Sequence, residues 1–197
     1  TVARLIAQIM KEENLLSTGR LIEVGRADIV SKFVGGTAPK VKELFKQAIG
    51  NVLFIDEAYS LCDGKDGLYG DEAINTIVQE MENNREDTVV IFAGYKKEMQ
   101  KFLDKNSGLR SRIAFEVEFP NYSEDELIEI AKLYAKKIDV DISQCLDKIR
   151  EIVKNNMDDR NFGNGRFIRS LLEKARMKQA TRLVNNNSVS YTHLTLP

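Results

Sequence analysis

The stretch Asn51-Val52-Leu53-Phe54-Ile55-Asp56-Glu57-Ala58-Tyr59 constrains this chain more than any other. An apolar run of this length reads as a strand buried on both faces of a parallel sheet. Side chains alternate along a strand, so Asp56 and Glu57 are expected to leave its C-terminal end pointing different ways. Ligands sit at that end of open α/β sheets. Two carboxylates placed there suit hydrolysis of a nucleotide phosphate. One holds Mg²⁺, usually through water, and the other polarises the attacking water. The plain alternative is an ordinary buried strand followed by an acidic helix cap.

Around that stretch the chain alternates strand and helix. Residues 1 to 16 carry Val2, Leu5, Ile6, Ile9 and Met10 at helical spacing, and Gly19 is expected to end that helix. Leu21 to Val24 reads as a short strand. Between Arg26 and Gly36, Phe33 and Val34 followed by two glycines read equally as an exposed, mobile loop or as packing. Thr37 is a candidate cap for the next helix, with Pro39 in its first turn and Val41, Leu44, Phe45 and Ala48 inward. Residues 60 to 70 read as a glycine-rich loop, and Asp71 as the start of a helix carrying Ile74, Ile77, Val78 and Met81. Thr88 to Tyr95 reads as a second buried strand, Lys97 to Asp104 as a short helix, and Ala114 to Phe119, which alternates, as a strand ended by Pro120.

Beyond Pro120 the pattern is helical only. Ser123 with Glu126 forms a capping box, and helices are expected over about 124–138, 143–156 and 165–184. The expected organisation is an α/β core over 1–120 and a small helical domain over 121–187. The last stretch, Val189 to Pro197, breaks the helical pattern and resembles the translation of a sequencing adapter. Residues 188–197 are accordingly expected to be no part of the natural fold. The only histidine, His193, lies there and enters no mechanism.

The formal net charge of −1 offers no broad field for nucleic acid or a membrane surface. No apolar run approaches the roughly 20 residues of a membrane-spanning helix. Cys62 and Cys145 fit no metal or redox spacing and read as free thiols in a reducing cytosol. The expected location is therefore the cytoplasm, without a nucleic-acid or membrane partner.

A phosphate-binding GxxxxGK[ST] loop is absent from the sequence. Its nearest imitation, Gly35-Gly36-Thr37-Ala38-Pro39-Lys40, has no glycine before the lysine, and Pro39 supplies no N–H to a phosphate. The chain opens within a helix, so such a cradle, and the strand that precedes it, are expected upstream. Residues 1–197 by themselves are accordingly expected neither to bind ATP tightly nor to hydrolyse it, and not to fold robustly.

Six segments carry a family resemblance. Thr1 to Arg4 is similar to the residues just after an AAA+ phosphate loop. Phe33 to Lys40, Val52 to Tyr59, Ile91 to Tyr95, Ser111-Arg112-Ile113 and Asn164 to Arg169 follow in family order. Over about 1–184 the chain resembles the AAA+ subfamily of red-type Rubisco activase and stage V sporulation protein K. That resemblance implies a P-loop NTPase-like parallel sheet followed by a helical lid. It also implies ATP and Mg²⁺ as cofactors, and a homo-oligomeric ring, a hexamer, that remodels a protein substrate through its central pore.

Residue by residue, the resemblance makes Asp56 the Mg²⁺-associated acid and Glu57 the catalytic base. It makes Arg112 the arginine finger that reaches the γ-phosphate bound to a neighbouring subunit, with Arg110 as its rival. Arg166 matches the second sensor, on a lid helix above the nucleotide, and Arg169 is the alternate. Tyr95 falls where many relatives place a polar first sensor, often asparagine. Phe33, with Val34, matches the pore-loop aromatic that grips substrate. A non-hydrolysing scaffold of the same fold is the competing expectation.

Overall fold

The computed structural model describes residues 2–62, 67–159 and 162–185. The chain divides into two compact units, Thr1–Glu118 and Phe119–Pro197.

The first unit is built on a three-stranded parallel sheet in the order β1-β2-β3. The strands are β1 (Leu21–Val24), β2 (Asn51–Ile55) and β3 (Thr88–Phe92). β2 is central and in register with both neighbours: Leu53 lies opposite Ile22 on one side and Val90 on the other. Helix α1 (Val2–Glu12) precedes the sheet, α3 (Thr37–Ala48) connects β1 to β2, and α4 (Gly67–Asn83) connects β2 to β3. A four-residue helix, α2 (Arg26–Ile29), follows β1 within the expected loop.

The two-faced burial of β2 explains its unbroken apolar run. Val52 packs with Ala7 of α1 and Leu16 on one face. Leu53 and Ile55 point to the other, against Phe45 of α3 and Ile74 and Ile77 of α4. The period of two along the strand produces this division. Asn51, although buried, is satisfied: its Oδ1 accepts the Arg20 N–H at 2.9 Å, and its Nδ2 donates to the carbonyls of Gln47 and Ile49. Those three bonds fix where β2 begins.

Several local expectations are corrected. The first helix closes at Glu12, because Asn14 adopts a left-handed φ of 56° and turns the chain before Gly19. Thr37 does not cap α3. Gly36 holds that position, while Thr37 is fully buried and its hydroxyl accepts the Ser31 N–H at 3.2 Å. Helix α4 begins at Gly67 rather than Asp71, and a 3₁₀ turn occupies Ala58–Cys62, with 63–66 outside the described residues. β3 is half-buried throughout, because among the described residues only β2 pairs with it.

Ala114–Phe119 forms no strand: Phe115, Val117 and Phe119 are 88, 73 and 69% exposed. Alternation shows only that one side of a segment is apolar. A strand also needs a hydrogen-bonding neighbour, and none of the described strands flanks this segment. Before it come α5 (Lys96–Lys105) and the short α6 (Ser107–Arg110).

The second unit is helical: α7 (Glu124–Lys137), α8 (Leu146–Asn156) and α9 (Gly165–Asn185). Leu127, Ala131, Ile149, Val153, Ile168 and Leu172 make its core. The capping box is formed, with Ser123 Oγ accepting the Glu126 N–H and the Glu126 carboxylate accepting the Ser123 N–H at 2.7 Å. The tail from 188 onward lies outside the described residues.

Candidate active site

β2 delivers its two carboxylates to the C-terminal edge of the sheet. Asp56 still belongs to the ladder, donating its N–H to Val24 at 3.0 Å. Glu57 does not. It sits at a left-handed φ of 46°, rare and strained for a residue with a side chain. The two acids are therefore parted by a backbone turn, not by strand alternation as expected. The turn is held on both sides: the Glu57 N–H donates to Asp56 Oδ1 at 3.1 Å, and the Ala58 N–H donates to the Ala93 carbonyl at 3.0 Å. Both acids are exposed.

Glu57 has an immediate neighbour in Tyr59. The Tyr59 phenol is pushed above its ordinary value, first by burial and then by the charge of Glu57 and a hydrogen bond to that carboxylate. The Tyr59 ring lies 6.3 Å from that of Tyr95 and against Gly94 at the end of β3. A Cβ on Gly94 would come within 2.8 Å of the Tyr59 ring, so glycine is required for that approach. Tyr95 is exposed at the N-terminus of α5. The structure thus gathers Asp56, Glu57, Tyr59 and Tyr95 at one edge.

Mg²⁺ keeps several waters and is held through one or two carboxylates plus substrate phosphates. An exposed Asp56 with one oxygen engaged by a backbone N–H fits that donor set. Among the described residues no group of three or more acids, histidines or cysteines surrounds a cation, so the remaining ligands would be water and phosphate.

Phe33 and Val34 settle on the exposed alternative, at 79 and 88%. The base of their loop is pinned: the Phe33 N–H donates to Ser31 Oγ, and Lys40 Nζ donates to the carbonyls of Ala27 and Val30. Arg26 reaches from α2 to the carbonyls of Ser60 and Leu61. This tie went unnoticed in the sequence, because its partners lie 34 and 35 positions away and share no motif with it.

Arg112 is elsewhere. Its Nε pairs with Glu82 Oε2 at 3.3 Å, and its Nη1 donates to the Gly108 carbonyl at 3.1 Å. Glu82 belongs to the last turn of α4, just before β3 begins, on the N-terminal edge of the sheet. The acid pair is on the C-terminal edge, about 15 Å away at roughly 3.3 Å per strand residue. Arg110 is ion-paired with Asp104 on its own side. Arg166, in the second unit, is exposed at the start of α9 and makes no side-chain hydrogen bond or ion pair among the described residues. Arg169 is engaged within that unit, 5.6 Å from the Tyr134 ring centre.

A three-stranded parallel sheet, a strand ending in an acid pair and a following helical unit together define an AAA-type ATPase fold, and the chain belongs to the ATPase family associated with various cellular activities (AAA). Residues 1–121 match that family and residues 123–196 match the AAA lid domain. The chain is 44% identical over 188 residues to stage V sporulation protein K of Bacillus subtilis, covering 93% of this chain and 58% of that protein. It is 42% identical over 185 residues to the chloroplastic ribulose bisphosphate carboxylase/oxygenase activase of Cyanidioschyzon merolae, covering 93% and 63%. It therefore spans about three-fifths of the length of these relatives. Among solved structures it resembles the FIGL-1 AAA domain in complex with ADP. There the TM-score is 0.61 at 16% identity, over 89% of this chain and 57% of that one, a likeness of fold. No described helix is long and apolar enough to cross a membrane.

Proposed function

We propose that this chain is the nucleotide-hydrolysing part of an ATP-driven motor that assembles as a ring, with six copies as in the family resemblance, and remodels a protein substrate. The observation that carries this is the placement of Arg112 on the sheet edge opposite Asp56 and Glu57. An arginine that distant cannot serve its own acid pair, but in a head-to-tail ring it meets the neighbour's.

Asp56 would hold Mg²⁺ through water, and the ion would supply charge neutralisation on the phosphates. Glu57 accepts a proton from the attacking water, with the Tyr59 phenol beside its carboxylate. Arg112 of the adjoining copy stabilises charge on the transferring phosphoryl group. Tyr95 adjoins through Tyr59, and Arg166 takes the second-sensor role. Phe33 and Val34 supply apolar grip on an extended polypeptide without demanding one sequence, and Arg26 links their loop to the turn after Glu57. The named relatives include a Rubisco activase and a sporulation protein, and the activase supports a protein as the substrate class.

The test is ATP turnover by the full-length protein and its Glu57→Gln variant. The variant is expected to bind ATP normally and turn over at least about tenfold more slowly, in line with loss of a general base. An equal rate removes Glu57 from its role. A wild-type protein that binds MgATP without hydrolysing it supports the scaffold instead.

A further inference from the structure

Glu82 sits between two arginines. Its Oε1 accepts from Arg85 Nη1 at 2.9 Å, one turn along the chain, and its Oε2 pairs with Arg112 Nε at 3.3 Å. Arg85 thereby fixes the rotation of the carboxylate that meets Arg112. The Gly108 carbonyl accepts from Arg112 Nη1 and holds the same guanidinium from a second side. A guanidinium has five N–H donors. With Nε in an ion pair and one Nη1 N–H donated to Gly108, the other Nη1 N–H and the Nη2 amino group stay available to an outside acceptor. That is the forked end that suits two oxygens of a phosphate.

We propose that Glu82 is a positioning residue for trans catalysis: it grips the Arg112 side chain by its inner edge and presents the outer edge to the nucleotide of the adjoining subunit. This rests on the finger role proposed for Arg112. Among the described residues Arg110 lacks such a two-sided mount, and no second cation meets its ion-pair partner, Asp104. An exposed ion pair contributes little to folding, so the loss is read in turnover and not in melting temperature.

The experiment uses the full-length protein with MgATP, comparing wild type, Arg112→Ala, Glu82→Ala and Glu82→Gln for ring assembly, melting, KM and kcat. Glu82→Ala is expected to assemble and melt like wild type, with KM for ATP unchanged and kcat lower by about tenfold or more, the scale of a misaimed catalytic group. Glu82→Gln is expected to fall between the two. Mixing Glu82→Ala subunits with Glu57→Gln subunits must then raise turnover several-fold per intact Glu57, because the added copies bring well-mounted fingers. Glu82→Ala with wild-type kcat, or a deficit that mixing leaves in place, overturns the proposal while Arg112→Ala remains inactive. Failure of both Glu82 variants to assemble also overturns it, assigning Glu82 to the fold. Wild-type turnover by Arg112→Ala sinks the finger role itself, and the Glu82 proposal with it.

Discussion

Arg26 and Ser60, 34 positions apart, meet through an Nη1–H to carbonyl hydrogen bond of 2.6 Å. The same Nη1 also serves Leu61 at 3.0 Å. One side chain therefore ties α2, which leads to the exposed Phe33, to the turn that follows the acid pair. Removing it leaves two carbonyls without a charged donor. Arg26→Ala is expected to cost about 1–2 kcal/mol, since the bonds are charge-assisted but only partly buried. Urea unfolding measures it, and an unchanged midpoint would mean water replaces the guanidinium fully.

Phe33 and Phe45 are the same residue type in opposite settings, 79 and 1% exposed. Phe33→Ala should shift stability by no more than about 0.5 kcal/mol. Phe45→Ala should cost about 3–5 kcal/mol, by losing burial and opening a cavity among α3, α4 and β2. Equal effects in thermal denaturation would show that the Phe33 loop is packed in solution.

Gly70 lies inside α4, where alanine normally gains about 1 kcal/mol of helix stability. Here an added Cβ would stand 2.0 Å from the Leu61 carbonyl oxygen, and backbone cannot swing aside as a side chain can. Gly70→Ala is therefore expected to destabilise by about 1–3 kcal/mol net. A stabilised variant in calorimetry would refute the close approach.

The capping box of α7 gives a pH dependence. Hydrogen bonds from the Ser123 backbone and side chain hold the Glu126 carboxyl below its ordinary value of 4.5. The folded state thus favours the ionised form. Its contribution is present above the ordinary glutamate value and fades as pH falls through the lowered one. Glu126→Gln should lose that acid-side dependence, and Ser123→Ala should cost about 1 kcal/mol at neutral pH. NMR titration of the Glu126 carboxyl, wild type against Ser123→Ala, follows it directly. A titration unaffected by the substitution would leave the Ser123 N–H, and not its hydroxyl, as the cause.

The acid strand was legible because burial on both faces leaves an uninterrupted apolar run, and few structures other than a central strand do so over five residues. The helical unit was legible through Ser123 and Glu126 and the regular return of apolar residues. Ala114–Phe119 was misread because its alternation is that of a half-buried strand, while pairing is a property of neighbours that a local pattern does not encode. Glu57 follows the end of β2 as expected, but its left-handed turn carries no signature in a glutamate. The ties from Arg26 to Ser60 and Leu61 and from Glu82 to Arg112 were invisible, because the fold alone brings those partners together.

The unpaired side of β3 has a practical consequence. Thr88–Phe92 contains no charge and no proline, and its outer row of N–H and C=O groups has no strand beside it among the described residues. Bare, uncharged edges of this kind template addition of any extended chain. With Phe115 and Val117 of the same unit also open to water, an unshielded copy of this unit would drift toward irregular clumps, a colloidal hazard that grows with concentration.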